Sequence, residues 1–110
     1  MVAELSIFGY QEESAVVDHY AQLRRVLEQA LDQARSGKGA ERHARGQPFE
    51  RQPMMEISRM IGGPAGCLYQ VMKKTQEASR MDTDAAKREI LGAINYLAGA
   101  YLLLEEREQN

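Results

Sequence analysis

The sequence predicts an all-α fold, a helical bundle of two long helices and two shorter ones, and three observations lead there. Apolar residues recur at spacings of three and four in two long stretches; Pro53 and Gly62-Gly63-Pro64 punctuate the shorter periodic stretches; and strand-like alternation is confined to the first eight residues. With 110 residues, 44% hydrophobic and 27% charged, the chain has the length and apolar content of a single domain, residues 1–110.

Residues 1–12 form an N-terminal arm in which Val2-Ala-Glu-Leu-Ser-Ile-Phe8 partly alternates apolar and polar positions. A short strand and an arm packed on a helix or a neighbouring subunit are both open readings, because an isolated strand needs a pairing partner. From about Glu13 to Ser36, Val16, Tyr20, Leu23, Leu27, Ala30 and Ala34 follow spacings of 4, 3, 4, 3 and 4, which predicts a long helix with a coiled-coil-like seam. Gly37 and Gly39 terminate it, since glycine takes the left-handed position after a helix without a Cβ clash.

Residues 37–52 are polar, basic and irregular. Pro53 suits the first turn of a short helix carrying Met54, Ile57 and Ile61 on one face, broken by Gly62-Gly63-Pro64. From about Pro64 to Arg80, Leu68, Val71, Met72, Thr75 and Ala78 keep helical spacing. Asp82-Thr83-Asp84 then supplies a capping oxygen and an early carboxylate for a last helix from about Asp84 to Glu106. In that helix Gly92-Ala93 repeats as Gly99-Ala100 seven residues later, a ridge of small residues, while Ile90, Ile94, Leu97, Tyr101 and Leu104 form a stripe of large ones. A helix apolar on more than one side must be covered on more than one side, which predicts a homo-oligomer, most simply a two-fold dimer.

The net charge is −2, but unevenly distributed. Residues 1–34 carry two basic against six acidic side chains (−4), residues 35–80 nine against four (+5) and residues 81–110 three against six (−3). A basic middle between acidic ends suits a local anion site; the acidic ends would repel the backbone of duplex nucleic acid. The basic residues could equally be a solvated face. The longest uncharged run, Ile90 to Leu104, is 15 residues, shorter than the roughly 18–20 that span a bilayer, so no membrane partner is expected. One cysteine, Cys67, allows no internal disulfide, and no basic-then-apolar leader opens the chain, which together predict a cytoplasmic protein.

The chemistry-bearing stretch is Lys38-Gly-Ala-Glu-Arg-His-Ala-Arg-Gly-Gln-Pro-Phe-Glu-Arg-Gln-Pro53. Arg42, His43, Arg45 and Arg51 offer planar forks and a ring donor for phosphate oxygens, and Phe49 is a residue a solvated linker does not need. Lys74 and Arg80 reinforce that anion site if their helix faces the loop; the competing reading makes Lys73 and Glu77 an exposed helix pair. No catalytic constellation is complete. His19, His43 and Cys67 lack metal-ligand spacing, no lysine and serine or threonine follow the paired glycines to make a phosphate-binding loop, and no metal or cofactor is expected.

Lys73-Lys-Thr-Gln-Glu-Ala78 followed by Glu89-Ile-Leu-Gly-Ala-Ile-Asn-Tyr-Leu-Ala98 resembles the core helices of the MazG-type all-α nucleoside triphosphate pyrophosphohydrolases, over about the last two-thirds of the chain. The chain is also similar to small phage-encoded proteins of that style, with an Arg-His near a Pro-Phe ahead of the final helices. The resemblance implies a helical nucleotide-handling fold and, for a phage protein, an anti-defence role in sequestering a host nucleotide signal. Aligning Leu91-Gly92 with the family's Leu-Gly puts Ala93 and Ile90 where two metal-binding carboxylates belong, leaving Glu77 and Glu89 as a depleted set. Three functions follow as expectations: non-enzymatic binding of a phosphorylated small molecule or nucleotide; a protein-binding inhibitor or adaptor presenting Met54, Met55 and Met60; and a divergent pyrophosphohydrolase using Glu77 and Glu89.

Overall fold

A computed structural model describes residues 16–36 and 46–109. The described residues form four α-helices, α1 (Ala21–Ser36), α2 (Pro53–Met60), α3 (Ala65–Ala78) and α4 (Thr83–Glu108), with a 3-10 turn at Phe49–Arg51 ahead of α2. No strand occurs among them. The expected arm at 1–12, the stop glycines Gly37 and Gly39, and Arg42, His43 and Arg45 of the basic loop lie outside the described residues.

α1 starts later than its apolar spacing suggests. Asp18 accepts a hydrogen bond from the Tyr20 N–H (2.9 Å) and pairs with Arg24, so a side-chain acceptor serves the helix entry and Val16–Tyr20 stay outside the helix. α2 starts with Pro53 at its first position, as expected. Its buried residues are Met55 and Ser58; of the apolar face Met54, Ile57 and Ile61, Met54 packs against the core while Ile57 and Ile61 are exposed. Gly62 and Gly63, at φ 107° and 141°, end the helix, and the Gly63 N–H closes back on the Ser58 carbonyl at 2.9 Å. α4 is capped by Asp82, whose carboxylate accepts from the Ala85 N–H at 2.9 Å.

α3 and α4 form an antiparallel hairpin, with Cys67 against Gly99 at one end and Lys74 against Gly92 and Glu89 at the other. α1 also runs antiparallel to α4: Asn95 Nδ2 donates to the Ala30 carbonyl (2.9 Å) and Gln33 Nε2 to that of Arg88 (3.2 Å). α2 closes one end, where Arg59 holds Glu106 through two hydrogen bonds of 2.9 and 2.6 Å and donates to the Glu50 carbonyl at 2.8 Å.

The core is Met55, Cys67, Ala100 and Leu103, with Met54, Tyr96 and Leu102 packed against it. The small ridge of α4 is its buried side: Ala93, Gly99 and Ala100 let neighbouring helices approach closely. At Gly99 an added Cβ would lie 3.1 Å from both Cys67 Sγ and Met55 Sδ. Most of the large residues of the two expected seams consequently remain outside. Tyr20 just ahead of α1 and Leu23 and Leu27 on it are exposed, and Ala30 is the one buried residue of that helix; on α4 Ile90, Leu97, Tyr101 and Leu104 are exposed. No helix of the described residues is long and apolar enough to cross a membrane.

Candidate ligand cleft

A cleft of about 450 Å³ opens beside the small ridge of α4, between the C-terminal turns of α1, the 3-10 turn and the helices α2 and α3. Its size falls in the range of roughly 300–1,000 Å³ typical of small-molecule sites. Local sequence builds each wall. Pro48, in an extended conformation, leads into the turn closed by Arg51 N–H to the Pro48 carbonyl (2.9 Å), which swings Phe49 inward until its Cζ lies 3.9 Å from where a Gly99 Cβ would be. Gln52 Nε2 donates to the Gln47 carbonyl at 3.1 Å and braces the same turn.

The floor is α4. Gly92 has no side chain, so the stem of Lys74 lies across the helix there, its Cδ and Cε 3.4 Å from the position a Cβ would take. This delivers Lys74 Nζ to Glu89 Oε1 at 3.0 Å and to 5.7 Å from the Tyr96 ring centroid, within reach of a cation–π contact. The Lys74 and Glu89 side chains are each more than three-quarters buried. Asn95 reaches across to α1 through its Nδ2, and Gln33 and Gln52 add amide groups to the wall. The cleft thus combines two aromatic rings, three amides and one ion-paired ammonium over an otherwise apolar lining.

The expected site residues divide accordingly. Lys74 lines the cleft. Arg51 is exposed outside it, 3.7 Å from Glu56, and Arg80 is exposed past the end of α3, where it donates to Gln76 at 2.8 Å. These three cations therefore do not converge. Lys73 and Glu77 form the expected helix pair at 3.3 Å, so the two carboxylates of the depleted set, Glu77 and Glu89, each sit against a different lysine. Among the described residues no group of three or more His, Cys, Asp or Glu side chains comes together as metal ligands. Of the three methionines read as a docking surface, Met60 is exposed, Met54 is partly buried and Met55 lies in the core.

Comparison with known proteins yields no match to a family model, a curated protein or a solved structure.

Gly92, Asn95, Tyr96 and Gly99 were not singled out as site residues from sequence. Their signal is the seven-residue glycine repeat, which marks both a helix-packing ridge and the floor of the cleft.

Proposed function

We propose that the protein is a non-enzymatic binder of a phosphorylated small molecule with a planar ring, a nucleotide being the class that fits. The observation that carries this reading is the cleft itself: Phe49 and Tyr96 offer faces for a heterocycle, Asn95, Gln33 and Gln52 offer amides for its edge, and Lys74 offers a cation. Chain connectivity supports it. Gln33 and Ala34 on one wall and Phe49 on the other flank the segment carrying Lys38, Arg42, His43 and Arg45, so the most basic stretch of the sequence is tethered at both ends to this cleft. An anionic ligand would compete with Glu89 for Lys74, and the arginines would serve its phosphate. Together with the resemblance to small phage-encoded proteins, this makes sequestration of a nucleotide signal the purpose we assign.

Calorimetric titration of mononucleotides and cyclic dinucleotides into the full chain tests the reading. Saturable heat with at least one of them is expected, lost in Lys74→Met and in the double variant Arg42→Ala/Arg45→Ala. Absence of heat with every nucleotide would overturn it.

A further inference from the structure

Among the described residues nothing covers the apolar face of the α3–α4 layer turned away from the cleft, and we infer that it docks a second copy of this chain, with the two α4 helices packed antiparallel about a two-fold axis near Leu97. At about 100° per residue Ile90 and Gly99 lie on opposite sides of α4. Gly99 faces the cleft and core, and the stripe Ile90, Leu97, Tyr101 and Leu104, exposed by 46, 48, 65 and 42%, faces outward. The half-buried Ile94 completes its spacing of 4, 3, 4 and 3, the seam along which helices pair. On α3, Gly66 meets Ser58 of α2, so Leu68 and Met72, 40 and 64% exposed, extend the α4 stripe on the flank turned away from α2.

Two arguments select a second copy as the occupant. The first is charge. The exposed Lys87 precedes the stripe, and the exposed Glu105 and Glu108 lie at its end, on the same side of the helix. An antiparallel pair centred near Leu97 sets Lys87 of one copy beside Glu105 and Glu108 of the other, twice, whereas a parallel pair stacks like charges. The second is area. The six exposed side chains leave on the order of 600 Å² uncovered if each large apolar side chain contributes about 200 Å². Adding the flanking Ala98 and charged residues brings this near the roughly 800 Å² per partner of a stable interface. The stripe spans about 21 Å along α4, enough for three turns of each helix to interdigitate.

Sedimentation velocity on the full chain over a concentration series tests the pairing. Twice the 12.4 kDa chain mass is expected, with Leu97→Glu and Tyr101→Glu reducing it to a monomer of unchanged helical circular dichroism, and Leu23→Glu on the exposed side of α1 leaving the dimer intact. Lys87→Glu should weaken association at least tenfold, and adding Glu105→Lys and Glu108→Lys should restore it. A monomer at all concentrations, a dimer that survives Leu97→Glu and fails with Leu23→Glu, or a charge reversal without rescue would each overturn the inference. Because the face lies across the layer from the cleft, nucleotide binding by the monomeric variants would proceed unchanged, and the two readings fail separately.

Discussion

Four glycines of similar appearance in the sequence do different physical work. Gly62 and Gly63 hold positive φ angles at the end of α2, where a side chain would be strained. Gly66 is helical but sits under α2, where an added Cβ would lie 2.8 Å from the buried Ser58 Oγ and 3.3 Å from Ile61. Gly92 faces only the flexible stem of Lys74, at 3.4 Å. Gly66→Ala is therefore expected to destabilise by about 1–2 kcal/mol, overpacking outweighing the gain in helix propensity. Gly92→Ala has no rigid neighbour to displace and should stabilise by about 0.5–1 kcal/mol. Urea denaturation of the two variants checks both signs. Sequence showed these glycines but not what lay above them, because the contact partner of each comes from another helix.

At the level of elements, the α4 start was legible to within a residue. The Asp82-Thr83-Asp84 signal places it at about Asp84, and in the structure the helix starts at Thr83 with the Asp82 carboxylate accepting from the Ala85 N–H. Asp82→Ala should cost about 1 kcal/mol, read as a fall in Tm of roughly 4–8 °C in a domain of this size. The α1 start is set by Asp18, whose carboxylate turns the chain at Tyr20 so that the helix begins at Ala21, whereas the apolar period runs back through Val16. The inward face of α2 is not legible in the sequence. Spacing identifies residues that share a face but not which face meets the bundle. In an eight-residue helix, Met54/Ile57/Ile61 and Met55/Ser58 fit the same period, and the packing of Met55 and Cys67 onto Gly99 decides between them.

For the whole molecule, the Arg59–Glu106 bridge ties α2 to the end of α4. The hydrogen-bonded guanidinium of Arg59 holds the Glu106 carboxyl below its ordinary value, and Glu106 in turn raises Arg59. Asp18 is likewise lowered by Arg24 and by the Tyr20 N–H. Lowered carboxylates bind fewer protons in the folded than in the unfolded chain, so stability rises with pH through that interval. Their contribution is fully present above the ordinary carboxylate range of about 4 and is lost as pH falls through the depressed values. Thermal melts from pH 7 to 2 should show Tm falling on acidification, and Glu106→Gln should lower Tm at pH 7 and flatten the acid limb. An acid limb as steep in the variant as in the parent would remove Glu106 from that account.

The fold class was legible because it depends on local periodicity. The site was legible only in part, because Lys74, Phe49 and Asn95 meet through tertiary packing that brings residues tens of positions apart to one floor.

Cys67, the chain's only cysteine, is wholly buried between Met55, Ser58 and Gly99. A thiol reagent can reach it only when α2, α3 and α4 part, so the molecule carries an internal clock for its own opening. Labelling kinetics in native buffer would count those openings directly, and slowing of the clock by a bound nucleotide or by raised protein concentration would report ligand and partner through one sulfur atom.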